Sequence, residues 1–194
     1  IKPSKFALKL ADEISKDPKL MEVILWETKK IIKMDERVNG KGRLIVETDR
    51  GLISANAGVD ASNVSGGDKV TLLPLDSDKS AKLIRNEIKK VTKKNIAVII
   101  SDTVGRPWRN GLVDIAIGCA GINPLRDLRG QVDSKGLLLV ATEMATADQI
   151  ACAAGLLMEK TEGIPVVIVR GCNYLSGDKG SAALIRDAKE DLFR

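Results

Sequence analysis

Residues 96–101, Ile-Ala-Val-Ile-Ile-Ser, lead straight into Asp102, Thr103, Gly105, Arg106, Pro107, Trp108, Arg109 and Gly111. The apolar run reads as a strand over residues 96–100, and the carboxylate, hydroxyl and guanidinium groups then stand in the loop at its carboxyl end. In open sheets, ligands gather beyond the carboxyl ends of strands. An acidic group delivered together with cations suits a metal-bound phosphate. Asp102 reads either as a metal ligand or as a cap for nearby backbone N–H groups. Asp60 is a second carboxylate after a strand, in the small-residue loop Asn56-Ala-Gly-Val-Asp60-Ala-Ser-Asn63. Converging with Asp102, it would hold divalent metals that bridge phosphate oxygens; alone, it fits an ordinary turn. Arg106 and Arg109 flank Pro107-Trp108, and guanidinium forks match phosphate or carboxylate in bidentate fashion. The alternatives for these arginines are stacking on Trp108 or pairing with Asp114 or Asp127.

Absences narrow the chemistry. The chain has no histidine, which excludes Ser-His-Asp hydrolysis, Cys-His proteolysis and histidine-held zinc or iron. A metal must therefore sit among oxygens, as Mg²⁺, Mn²⁺ or Ca²⁺ does. No GxxxxGK[ST] loop and no GxGxxG after a strand occurs, so an ordinary P-loop enzyme is excluded. Gly177-Asp-Lys179-Gly180-Ser181 offers backbone donors and a lysine, a weak anion-binding signal, and reads as an ordinary surface loop. Cys119, Cys152 and Cys172, three in number and in apolar company, read as buried reduced thiols rather than a disulfide framework.

The elements that must position these groups follow from 194 residues with 44% hydrophobic content, enough for a core of their own. No apolar run approaches the roughly 20 residues of a membrane span, and the N-terminus lacks a signal-peptide core, so a cytoplasmic location is expected. Ser4 caps a helix to about Ile14. Asp17-Pro18 opens a second that carries Leu20, Val23, Ile24, Ile31 and Ile32. Gly40 and Gly42 break this pattern, and residues 43–55 read as two strands joined at Asp49-Arg50-Gly51. A short strand at residues 70–75 leads through Asp76-Ser77-Asp78 into a lysine-rich helix. There Leu83, Ile84, Ile88 and Val91 recur at helical spacing, so the net charge of +5 reads as a solvated helix face rather than a nucleic-acid footprint. Aromatic content of 3% argues the same way. A strand over residues 137–141, a helix capped by Thr146-Ala-Asp148 and running to Met158, and a buried strand at residues 164–171 complete the order. Interleaved helices, a hairpin and short strands predict an α+β fold with mixed or antiparallel sheets, with doubly wound α/β as the alternative.

With these residues laid out, the chain resembles the coenzyme F420:L-glutamate ligase family, the F420-0:gamma-glutamyl ligases. The resemblance rests on the 56–64 segment, Leu73-Pro-Leu-Asp76-Ser-Asp78 with Ser80-Ala, and Ser101-Asp-Thr-Val-Gly-Arg-Pro-Trp-Arg109. It continues through Ala116-Ile-Gly118, Leu125-Arg-Asp127-Leu-Arg-Gly130, Gly163-Ile-Pro165-Val-Val-Ile-Val-Arg-Gly171 and the ending Asp191-Leu-Phe-Arg194. It implies a GTP-dependent enzyme with two divalent ions, Mn²⁺ or Mg²⁺, stimulated by K⁺. Its subdomains would intertwine in a homodimer, with no nucleic-acid or membrane partner. The implied substrates are GTP, L-glutamate and the deazaflavin coenzyme precursor F420-0. By position, Asp60 and Asp102 would ligate one metal and Thr103 would serve a second, with Glu159 as a further ligand. Asn63 and the loop of Met158, Glu159, Lys160, Thr161, Glu162 and Gly163 would contact GTP. On physical grounds, and not from the resemblance, Arg106 or Arg109 would stabilise the charge of transfer and orient an acidic substrate. Glu159-Lys160 stands where the family usually has a glycine followed by a polar residue. The resemblance also implies one ligase domain over 1–194, lacking an N-terminal segment that family members carry ahead of the position of Ile1 and that contributes to the nucleotide site. The rival readings are a metal-dependent nucleotide phosphohydrolase and a non-catalytic binding protein for acidic ligands.

Overall fold

The computed structural model describes residues 1–35, 42–61 and 69–192. Asn63, the Gly40 break and the last two residues of the 191–194 motif lie outside the described residues. The chain divides into two compact units, Ile1–Leu73 with Asp187–Arg194, and Pro74–Arg186.

In the first unit, α1 (Lys5–Glu13) begins where Ser4 Oγ accepts from the Ala7 N–H, at 3.1 Å. Ala7, Leu10, Ala11 and Ile14 recur at helical spacing and form its buried stripe. α2 (Pro18–Trp26) starts from Asp17, whose carboxylate accepts from the Leu20 N–H at 2.8 Å, with Pro18 in the first turn where its missing N–H costs nothing. Thr28 Oγ1 donates to the Ile24 carbonyl at 2.6 Å and closes the last turn. Ile31 and Ile32 are therefore not helical, as their spacing had suggested; they lie in β1 (Lys30–Asp35), where branched side chains suit the pleat. β1 pairs antiparallel with β2 (Arg43–Glu47), and β2 with β3 (Ile53–Ala55), the hairpin expected around Asp49-Arg50-Gly51. Helices and sheet meet in a core of Ile14, Met21, Ile24, Leu44 and Val46, each at most 1% exposed. A fully buried side chain of this size contributes about 1.5–3 kcal/mol. A 3₁₀ turn (Asn56–Gly58) follows, and Gly58, at φ +71°, packs so closely on Leu73 that a Cβ would collide with it.

The strand expected at residues 70–75 reduces to one antiparallel bridge between Thr71 and Asp60. Pro74 lacks the N–H to continue a ladder.

The second unit is organised by a long antiparallel hairpin, β4 (Val98–Arg106) and β5 (Arg109–Ala120), against which α3 (Ser77–Thr92) and α4 (Thr146–Met158) pack. α3 is capped as read, with Asp76 accepting from the Lys79 N–H at 2.8 Å. Its contact face is made of Ser77 and Ala81, however, and Leu83, Ile84 and Val91 are exposed. The small residues let the helix lie close: a Cβ on Gly118 would overlap Ser77. β6 (Arg126–Asp127) and β7 (Glu143–Met144) form a second two-stranded pair. Residues 137–141 contribute only a bridge from Leu138 to Val132, not a strand. The run 164–171 is neither a strand nor buried, with Val166 and Ile168 about three-quarters exposed, because no strand among the described residues pairs with it. Of the cysteines, Cys119 is buried but Cys152 and Cys172 are exposed, and all are free. Cys152 lies at an accessible edge of α4 where its thiol still reaches the β5 backbone, and Cys172 follows the unpaired run.

The described residues thus form an α+β structure with four α-helices and small antiparallel sheets, as the interleaving predicted; no parallel pair occurs among them. No described helix is long and apolar enough to cross a membrane.

Candidate active site on the β4–β5 hairpin

The apolar run does not end at Asp102. β4 continues through Asp102 and Thr103 to Arg106, turns at Pro107-Trp108 and returns as β5. The groups expected in a loop at a strand's end are therefore fixed in a ladder, which holds them more rigidly than a loop would. Asp102 pairs with Ile115, and Thr103 with Asp114. Successive strand residues point to opposite faces, so Asp102 projects away from the face shared by Thr103 and Asp114.

On that shared face the Thr103 hydroxyl donates to Asp114 Oδ1 at 2.6 Å and accepts from Lys160 Nζ at 2.8 Å. Cys152 Sγ donates to the Asp114 carbonyl at 3.0 Å. The Asp114 carboxylate fits against α4 only because residue 155 is glycine; a Cβ there would strike it. The two hairpin strands supply Thr103 and Asp114 to the chain Lys160–Thr103–Asp114, the post-helix loop supplies Lys160, and α4 leaves room for it at Gly155. Asp114 entered the sequence reading only as a possible partner for an arginine. The signal that could have found it is the hairpin register, legible once Pro107-Trp108 is taken as a turn, together with a glycine inside a helix that faces it.

At the hairpin tip Arg106 and Arg109 are direct register partners. Like charges placed opposite each other are unfavourable, so an anion between them would be welcome. Arg106 Nη2 donates to the Asn110 carbonyl at 3.2 Å. The carboxylate partners weighed for these arginines are engaged elsewhere: Asp114 by Thr103, and Asp127 by Arg129. Arg129 Nε and Nη2 form a bidentate pair with Asp127 at 2.8 and 2.7 Å, and this hydrogen bonding holds the Asp127 carboxyl down at about 2. Trp108 is 86% exposed at φ +62°, a left-handed conformation uncommon for an aromatic residue.

The 158–163 loop is mostly exposed. Met158 ends α4, Glu159 takes φ +42° and ψ −179°, Thr161 Oγ1 bonds to Glu162 Oε1 at 3.2 Å, and Gly163 has φ +63°. The Gly177–Ser181 segment is a structural tie rather than an anion loop. The Ser181 and Cys119 N–H groups donate to Asp78, and Gly121 N–H donates to Asp178. Burial, aided by Asp78 and Asp178, pushes the Cys119 thiol up to about 11, so it stays protonated and inert as a nucleophile.

Asp60 belongs to the first unit, where its backbone exchanges two hydrogen bonds with Thr71, at 3.1 and 2.8 Å, and its side chain is exposed. Asp102 is half-buried in the second unit. Among the described residues no group of three or more His, Cys, Asp or Glu converges as a metal cluster. As donors, the Asp60 and Asp102 carboxylates fit a hard divalent ion. Thr103 does not fit one in the same way, because the Lys160 ammonium already stands on its oxygen.

The sequence matches the family described as F420-0:Gamma-glutamyl ligase over residues 1–171. It is 49% identical over 193 residues to the coenzyme F420:L-glutamate ligase of Methanocaldococcus jannaschii, covering 99% of this chain and 75% of that protein. The enzyme of the same name from Methanothermobacter thermautotrophicus is 44% identical over 197 residues, covering 100% of this chain and 76% of the relative. That of Methanopyrus kandleri is 41% identical over 199 residues, covering 100% and 77%.

Proposed function

The chain belongs to the F420-0:gamma-glutamyl ligase family, and from that premise we propose that it joins L-glutamate to the coenzyme precursor F420-0 at the expense of GTP. The observation that carries the reading is the placement, on one hairpin, of a half-buried carboxylate at Asp102 and, at its tip, two guanidinium-bearing residues opposed in register, Arg106 and Arg109. Such a hairpin suits a reaction in which one anion attacks another.

In the proposed sequence the lactyl carboxylate oxygen of the precursor attacks the γ-phosphorus of GTP, the bond to the β-phosphate oxygen breaks, and GDP leaves. The glutamate amine then attacks the carbonyl carbon of the acyl phosphate; an amide forms, inorganic phosphate departs and the amine loses a proton. A second glutamate joins through the side-chain carboxylate of the first. Arg106 and Arg109 bring the two anions together and stabilise the charge that builds on the phosphoryl oxygens. Asp60 and Asp102 are the carboxylates assigned to divalent metal, Mn²⁺ or Mg²⁺, which when bound neutralises phosphate charge. Asn63 and the 158–163 loop are assigned to the nucleotide. The protein works as a homodimer, a reading supported by the exposed apolar side chains of the second unit, among them Leu137, Leu156, Leu157, Val166 and Ile168.

Leaving out one substrate tests the reaction class. GDP release in the presence of the precursor must stop when glutamate is omitted, apart from a single turnover to the acyl phosphate. Sustained release without glutamate would mark a phosphohydrolase instead.

A further inference from the structure

Lys160 is placed where a cation belongs. Its ammonium lies 2.8 Å from Thr103 Oγ1, and that hydroxyl donates a hydrogen bond to the Asp114 carboxylate at 2.6 Å. The arrangement draws on three elements and is built rather than incidental. Gly155 leaves the space on α4 that the Asp114 carboxylate fills. Glu159, immediately before Lys160, takes φ +42° and ψ −179°, a conformation that costs glycine little and a branched-off side chain more. Strain of this kind persists where the surrounding contacts fix it, and the residue it delivers is Lys160.

The consequence concerns charge. A divalent ion on Thr103 would share the oxygen with an ammonium about 4 Å away, where like charges repel strongly. With Lys160 in place, the single negative charge of Asp114 is already balanced through the hydroxyl. We propose that Lys160 takes the place of a second divalent ion, its ammonium supplying at Thr103 and Asp114 the positive charge that metal would otherwise bring. The protein then binds one divalent ion with its nucleotide, and Lys160 faces the phosphate as the other cation. This inference rests on the metal-and-GTP reading above and departs from the expectation of two divalent ions.

The test counts Mn²⁺ in the full-length protein by electron paramagnetic resonance, with a non-hydrolysable GTP analogue present and circular dichroism as the check on folding. The wild type is expected to bind one Mn²⁺ per chain. Lys160→Ala is expected to bind two, with the additional ion lost again in Lys160→Ala/Asp114→Asn, whereas Lys160→Arg keeps one. Two Mn²⁺ in the wild type would overturn the inference and leave the ligase reading standing, as would one in both wild type and Lys160→Ala. No bound Mn²⁺ in any of these proteins would overturn the metal assignment itself, and the inference with it.

Discussion

At the scale of single residues, two aspartates outside β5 serve its backbone. Asp148 and Asp78 accept from the Ala116 and Cys119 N–H groups of β5, at 2.9 and 2.8 Å, and so satisfy backbone donors that β4 does not reach. Burial raises the Asp148 pKa, against the lowering effect of the Ala116 hydrogen bond. A folded pKa above the unfolded one means that the native state binds more protons between the two, so this group's contribution to stability falls as pH rises through the carboxylate range. Asp148→Asn keeps an acceptor oxygen and removes the charge. Relative to the wild type it should therefore gain in melting temperature between pH 4 and pH 7; a difference that shrinks with rising pH would contradict this. By position Asp148 stands in the first turn of α4 like a cap, but its carboxylate serves the neighbouring strand. Local spacing marks a carboxylate near a helix start; only the fold shows which N–H it meets. Asp114 escapes local spacing for the same reason, since its partner Thr103 is 11 residues away and reaches it only through the hairpin register.

At the scale of elements, what the sequence made legible was local. Ser4, Asp17 and Asp76 announce their helices because a side-chain oxygen three residues before an N–H is a short-range fact. The Arg43–Ala55 hairpin was likewise readable from its turn. The β4–β5 hairpin was not, because its central residues are Pro107 and Trp108 rather than an Asn-Gly or Asp-Gly pair, and polar side chains inside a strand look like a loop. Asp102 is thereby a ladder residue opposite Ile115 rather than a loop residue. Residues 70–75 and 164–171 failed in the opposite direction. Their apolar runs have strand composition, but a strand needs a partner ladder, and composition cannot supply one.

At the scale of the whole molecule, the second unit buries mainly small residues, Ala81, Ala116, Ala120, Ala147, Ala151 and Ala154 among them, while many of its large apolar side chains face outward. Exposed apolar surface of this kind marks association. The proposed dimer should be seen by sedimentation at micromolar concentration, and Val166→Asp/Ile168→Asp should raise the monomer fraction; a monomeric wild type would contradict it. Fold class and family were legible in the ordered set of motifs, because those motifs are spread from residue 56 to residue 194 and no local ambiguity disturbs their order. The central claim is that this hairpin carries out GTP-driven amide formation. The most direct measurement follows precursor, glutamate and GTP by mass spectrometry, in wild type and Asp102→Asn. The account predicts one GDP for each glutamate added by the wild type. In Asp102→Asn it predicts a loss of at least about a hundredfold, the scale of losing one electrostatic contact to a transition state, with an unchanged circular dichroism spectrum. GDP formed without glutamate incorporation, or full turnover in Asp102→Asn, would contradict it.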